Sequence, residues 1–199
     1  MLLSSHFFVF ILLNFKGVLS AKCSKKIPEN NHGRKPTLEI KKAQAPQKNT
    51  LAITIPVYSP EWSYQFTYHV NAFLDDTWCA IMSTTNSQVQ HGEYGYRAPA
   101  IYLNNPQRYF SITNAVNGDK IHKELFQGLI ANTSYDIEFH QRYKSGGVYT
   151  YSIVVNGDVI HTVDNNQAVQ FYNVKIWLSD PWHRACDGNI SNFKFTHFF

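Results

Sequence analysis

From residue 50 onward, apolar and polar side chains alternate in segment after segment with a period of two. That spacing puts successive side chains on opposite faces of an extended backbone and does not suit a helix. Leu51, Ile53, Ile55 and Val57 alternate with Ala52 and Thr54, and Pro56 and Pro60 mark the segment as an edge strand. Tyr64, Phe66, Tyr68, Val70 and Ala72 form one face of the next strand, against Gln65, Thr67, His69 and Asn71. Trp78 to Met82 reads as a short buried strand, with Trp78 in the core. Ala100 to Leu103 and Tyr109 to Val116 continue the series. Further on, Tyr135, Ile137 and Phe139 oppose Asp136, Glu138, His140 and Arg142. Asn117-Gly118, Ser145-Gly146-Gly147 and Asn156-Gly157 supply the tight turns that hairpins require. Glu124 to Leu129 reads as either a short strand or a single helical turn. With no amphipathic helix in the pattern, the expectation is an all-β fold, an antiparallel β-sandwich of about ten to twelve strands.

The segment Asn173 to Phe195 shows the pattern most fully. Val174, Ile176 and Leu178 alternate with Lys175, Trp177 and Ser179, and Ser179-Asp180-Pro181-Trp182 breaks the strand. After a short loop with Cys186 and Gly188, the apolar pattern returns in Ile190, Phe193 and Phe195.

The ends of the chain speak to compartment. Phe7 to Leu13 is a short apolar run followed by the small residues of Val18-Leu19-Ser20-Ala21, which reads as a signal peptide over residues 1–21. Residues 22–48 carry eight lysines and arginines against two glutamates, three prolines and no aromatic residue, and read as a flexible basic arm. The remaining domain, 49–199, has nine basic against twelve acidic residues, so the overall charge of +4 comes from the arm. An exported chain of this kind is not a nucleic-acid binder. Sulfated glycans, anionic membranes and acidic matrix proteins are the partners an arm of that charge would attract, and a solvated spacer is the plain alternative. No later stretch is long and apolar enough to span a bilayer. Asn132-Thr133-Ser134 and Asn189-Ile190-Ser191 are acceptor sequences for N-glycosylation, with Asn132 in a turn and Asn189 close to a strand. Three cysteines leave one over after a single bridge. Cys79 and Cys186 both lie in the folded region and are the preferred pair. Cys23 is then the odd thiol, free or paired between chains, although a bridge from Cys23 to the domain is an alternative. Oligomeric state is not legible.

Tyr135-Asp-Ile-Glu-Phe-His-Gln, Tyr151-Ser-Ile-Val-Val-Asn-Gly, Asn173-Val-Lys-Ile-Trp-Leu-Ser-Asp-Pro-Trp and Gly188-Asn-Ile-Ser-Asn-Phe together resemble the concanavalin A-like lectin/glucanase and laminin G-like jelly rolls. The likeness is to the small secreted or matrix-associated forms in invertebrate extracellular proteins. Tyr94-Gly-Tyr-Arg-Ala-Pro-Ala-Ile-Tyr and Ala115-Val-Asn-Gly fit the same pattern, so it covers about residues 60–199. The resemblance implies a jelly-roll fold that carries lectins, hydrolases and adhesion modules alike.

Glucanases of this group resemble one another in a strand bearing Glu, Asp and Glu at alternate positions, a spacing that serves a retaining mechanism. Here Asp136 and Glu138 alternate correctly, but Ser134 stands where the first Glu belongs, so they read as the polar outer face of a strand. No H-E-x-x-H, G-x-S-x-G or phosphate loop is present. His183 reads as a surface loop residue. A zinc site lacks any Cys-x-x-Cys spacing. The resemblance leaves calcium open as a cofactor, with Asp75, Asp76, Asp164, Asn165, Asn166, Asp180 and Asp187 available as oxygen ligands. Sugars present apolar faces rimmed by hydroxyls, so the ligand-binding candidates are Trp177 and Trp182 with the neighbouring carboxylates Asp180 and Asp187. No catalytic residue is expected. The chain is expected to be a secreted, non-catalytic binding or extracellular-matrix module contacting glycans. The alternatives are a structural organic-matrix protein of a mineralised skeleton and a glycoside hydrolase of the same fold.

Overall fold

The structure, a computed structural model, describes residues 33–199. The expected signal peptide, Cys23 and the first part of the basic arm, residues 22–32, lie outside them. In chain order the strands are β1 (Leu38–Ile40), β2 (Leu51–Tyr58), β3 (Glu61–Val70), β4 (Trp78–Thr85), β5 (Ala100–Asn104) and β6 (Tyr109–Val116). They continue with β7 (Asp119–Gln127), β8 (Thr133–Ser145), β9 (Val148–Val155), β10 (Asp158–Asn165), β11 (Phe171–Leu178) and β12 (Gly188–Phe198). Two six-stranded sheets result. The first runs β1-β12-β3-β8-β9-β10 and the second β2-β11-β4-β5-β6-β7, with every pairing between strands antiparallel.

The period of two explains the layering. Tyr64, Phe66, Tyr68 and Val70 of β3, Tyr135, Ile137 and Phe139 of β8, and Val174, Ile176 and Leu178 of β11 are all buried in one core between the sheets. Ile190 and Phe193 of β12 are three residues apart, which strict alternation would send to opposite faces. A register shift between Ser191 and Lys194, with Asn192 at φ 52°, supplies the extra residue that turns Ile190, Phe193 and Phe195 all inward. Asn117-Gly118 (φ 52° and 80°) and Asn156-Gly157 (φ 53° and 82°) take the left-handed conformations that two-residue hairpins require.

Three features depart from the sequence reading. Glu124 to Leu129 is no helical turn: its first part belongs to β7, whose inward and outward residues alternate throughout. The later part of the stretch read as a flexible arm contains β1, which pairs with β12 through Leu38, Glu39 and Ile40. Finally, Trp78 is not a core residue but is 38% exposed. Cys79 must point inward to reach Cys186, and alternation then sends Trp78 outward.

Candidate functional site

The outer face of the second sheet carries the site. Register places Trp177, Ser83, Ala100, Thr113 and Lys123 in one row across β11, β4, β5, β6 and β7. Ala80, Tyr102, Ser111 and Leu125 form the row beside it. The small side chains lower the floor of this face into a trough. The connection from β4 to β5, residues 86–99, folds over it, so that Ala80, Ala100 and Tyr102 make a small buried cluster apart from the main core.

The opposite wall is the loop between β11 and β12. Backbone bonds fasten it to β4: Ser179 N–H donates to the Ile81 carbonyl (2.8 Å), Ala80 N–H to Arg184 (2.9 Å) and Cys186 N–H to Ala80 (3.1 Å). The Cys79–Cys186 disulfide fixes the same junction, so the expected pairing is the one found. Within this loop Asp180 is fully buried. Its Oδ1 accepts from the backbone N–H groups of Trp182 (2.9 Å) and His183 (2.6 Å). Its Oδ2 lies 2.7 Å from His183 Nδ1, a contact in which only the ring nitrogen can donate. The carboxylate therefore holds the proton on Nδ1 and leaves Nε2 as an acceptor. That Nε2 faces Gln90 across the trough, accepting from its amide at 3.2 Å.

The ring of Tyr102 meets the His183 ring edge-on at 5.2 Å. The guanidinium of Arg97 stacks over Tyr102 at 4.8 Å and over Tyr96 at 5.1 Å. Burial pushes the Tyr102 phenol well above its ordinary pKa, against the pull of Arg97, and the charge of Asp180 adds to the rise. The phenol is thus held protonated, as a donor. Trp78, Gln90, His91, Arg97, Tyr102, Ser111, Ile121, Lys123 and His183 enclose a cavity of about 330 Å³. None of these is a carboxylate, and two are permanent cations. At its wall, Arg97 Nε is buried without a hydrogen-bond partner among the described residues. An unpaired buried donor there favours a polar ligand.

Of the ligand-binding residues expected from sequence, Asp180 lies at this site, though as the orienting partner of His183 and not as a direct contact. Trp177 is half-buried, beside Ser83 on the same face. Trp182 is half-buried in the turn that caps Asp180. Asp187 is remote, accepting from Asn71 at 2.9 Å. Sequence reading missed Arg97, Tyr102, Gln90 and Lys123, and it placed His183 on the surface. The readable signal was the Asp180-x-x-His183 spacing in a turn.

The oxygen ligands named for calcium are dispersed. Asp76 pairs with Arg184 (2.7 Å) and Asp164 with Lys144 (2.6 Å), a contact that holds the Asp164 carboxyl below its ordinary pKa. Asp136 and Glu138 occupy the outer face of the first sheet, bonded to Thr67 (2.7 Å) and to His140 (2.9 Å) and Gln65 (3.4 Å) respectively. Asn132 is exposed at φ 56° in the turn before β8, and Asn189 is half-buried in β12.

No family model matches the chain, and no curated protein sequence does. Solved structures share its fold at low identity. The marine alginate lyase AlyA1 from Zobellia galactanivorans is 13% identical, with a TM-score of 0.48 over 71% of this chain and 65% of that one. The family 7 alginate lyase A1-II′ bound to substrate is 12% identical, with a TM-score of 0.45 over 70% and 61%. The receptor-binding domain of botulinum neurotoxin type G is 9% identical, with a TM-score of 0.49 over 83% and 49%. The chain thus spans under two-thirds of the length of those proteins. It folds as a concanavalin A-like jelly-roll β-sandwich.

The expectation of a non-catalytic binding or structural matrix module is corrected. Alginate lyases, which are enzymes, are among the structures of like fold. In this chain, moreover, the trough brings an oriented imidazole, a protonated phenol and two cations to one cavity. Alternation along single strands could not reveal this, because the reactive groups come from two loops and two strands.

Proposed function

We propose that this chain cleaves an anionic, uronate-containing polysaccharide by β-elimination in the trough of the second sheet. The observation that carries the reading is the Asp180–His183 pair, which aims Nε2, an acceptor now bonded to Gln90, at the cavity that holds Tyr102 and Arg97. Elimination needs three things. A cation must offset the charge of the substrate carboxylate so that the carbon α to it gives up its proton. A base must take that proton, and an acid must protonate the departing oxygen. Arg97 and Lys123 supply the first, His183 Nε2 the second and the Tyr102 phenol the third. The proton on the α carbon passes to His183. The C–H electron pair becomes a double bond to the β carbon, the bond from that carbon to the glycosidic oxygen breaks, and the oxygen takes the phenolic proton. The base-held proton then returns the phenol to its starting form.

Hydrolysis by two carboxylates is disfavoured here. That mechanism needs two acids facing the bond, whereas no carboxylate lines the cavity and Asp180, behind His183, is engaged by its own turn. Trp177 extends the trough as an aromatic surface for a neighbouring sugar unit. The disulfide favours an oxidising compartment, and no helix of the described residues is long and apolar enough to cross a membrane. Export by the N-terminal signal, with glycosylation at Asn132, fits that setting.

The test is incubation with alginate, pectate and glycosaminoglycans while following the ultraviolet absorbance of the unsaturated uronate end. A rising signal that falls by about 10²–10⁴ in both His183→Asn and Tyr102→Phe supports the assignment. New reducing ends without unsaturation, or unchanged turnover in His183→Asn, would overturn it.

A further inference from the structure

A second cluster lies on the other side of β7. Alternation sends Ile121, Lys123 and Leu125 outward toward the trough and His122, Glu124 and Phe126 inward. β7 is the last strand of the second sheet and β10 the last of the first. Where these edges approach, His122 Nε2 lies 2.9 Å from His161 Nε2, and His161 Nδ1 lies 3.0 Å from Glu124 Oε1. Among the described residues, these three form the one group of His, Cys, Asp or Glu whose ligand atoms all fall within 4.8 Å of one another. The ring of Tyr151 on β9 packs against both imidazoles, at 6.4 and 6.1 Å. Its hydroxyl is fully buried and has no hydrogen-bond partner among the described residues. Inward positions at a sandwich edge are ordinarily apolar, as Phe126 is. Here a glutamate and two histidines stand in their place, joined to one another in a chain beside an unpaired phenol.

We propose that His122 and His161, the latter oriented by Glu124, bind a divalent zinc-class ion that ties the free edges of the two sheets together. Glu124 fixes the proton of His161 on Nδ1 and so directs the Nε2 lone pair toward His122, the carboxylate–histidine arrangement that orients metal ligands. Two nitrogens each at about 2.0–2.1 Å from a tetrahedral zinc sit roughly 3.3 Å apart, so the present spacing must open by only a few tenths of an ångström. Because the Glu124 carboxylate engages Nδ1 on the far side of the His161 ring, the ion takes its protein ligands from the two imidazoles, and water fills its remaining positions. Imidazole nitrogens select zinc over calcium, which takes oxygen ligands. The site is separate from the trough, and the proposal does not depend on the elimination chemistry.

The test uses the full chain after chelator treatment. One equivalent of zinc should bind by calorimetry and, at about a hundredfold excess over its dissociation constant, raise the Tm by about 5–10 °C, while calcium leaves it unchanged. The double variant His122→Phe/His161→Phe should lose both binding and shift. Should that variant fail to fold, cobalt in the wild-type chain decides instead: tetrahedral d–d bands that zinc displaces support the site. Absence of stoichiometric zinc binding in the wild-type chain, absence of those bands, or an unchanged shift in the double variant overturns the proposal.

Discussion

His183 owes its function in this scheme to an atom that never touches substrate. Asp180 accepts three hydrogen bonds from residues two and three positions downstream, one of them from the His183 ring. Asp180→Asn would put an amide where at least one of these donors now points, leaving a buried N–H unpaired. The expected result is a loss of stability of about 1–3 kcal/mol in urea unfolding. In the folded variant, the polyuronate cleavage proposed above should fall by about 10² or more, because the imidazole is no longer held in its productive tautomer. Retention of full activity by a folded Asp180→Asn protein would contradict the orienting role. A second residue sets a pH response. Burial holds His197 below its ordinary pKa, and Arg34 adds to the depression. Its ring sits between Phe195 and Phe199, at 5.4 and 4.7 Å. On acidification the unfolded chain therefore takes up this proton before the folded one does. The contribution is intact above the ordinary value of about 6.5 and is lost as pH falls from there toward the depressed one. Equilibrium unfolding between about pH 7 and 5 should show a shallower acid limb in His197→Leu than in the wild-type chain. An identical slope would remove His197 as a cause.

At the scale of the strand, Gly188 shows how a short motif can be read without its reason being visible. The Gly-x-Ile-x-Asn-Phe pattern marks the start of β12 in the sequence. Only the structure shows that a Cβ at Gly188 would meet the His69 carbonyl at 2.3 Å and the Tyr68 hydroxyl at 2.4 Å. A backbone carbonyl inside a sheet cannot swing aside, so Gly188→Ala should cost about 1–3 kcal/mol and lower the Tm by several degrees in calorimetry. Unaltered melting would mean that β3 and β12 can separate at that end without loss. The strands that sequence revealed are those with four or more alternating residues, such as β3 and β8. β1 escaped because three residues, Leu38-Glu39-Ile40, carry too few repeats to stand out from the charged, proline-containing stretch around them. Trp78 was misplaced for a related reason. A register shift between Ala80 and Met82 interrupts β4, and only the inward demand of Cys79 fixes which face each residue takes.

Taken whole, the molecule joins its two sheets through a core that sequence made visible, whereas its candidate chemistry depends on loops brought over one outer face. Arg97 and His183 are 86 residues apart in the chain, and no local period links them. What links them is β4, which has the first covering loop as its own continuation and holds the second by three backbone bonds and a disulfide. The bridged cysteines are 107 residues apart. Chain-entropy reasoning gives a closed loop of that size about 4–5 kcal/mol of stabilisation through the unfolded state. Cys79→Ala/Cys186→Ala should therefore unfold at lower urea with a deficit of about 3–5 kcal/mol. The effect on the trough should be seen before the effect on the fold. The bridge sits in the core, but its far end carries the turn that aims His183, and the remaining hydrogen bonds to Ala80 and Ile81 hold that turn against local opening alone. Below the melting range, polyuronate cleavage by the double variant should fall while far-ultraviolet dichroism keeps its β-sheet spectrum. Amide exchange should rise first at residues 180–186. Parallel loss of dichroism and cleavage along one temperature curve would show instead that the loop has no independence from the sandwich.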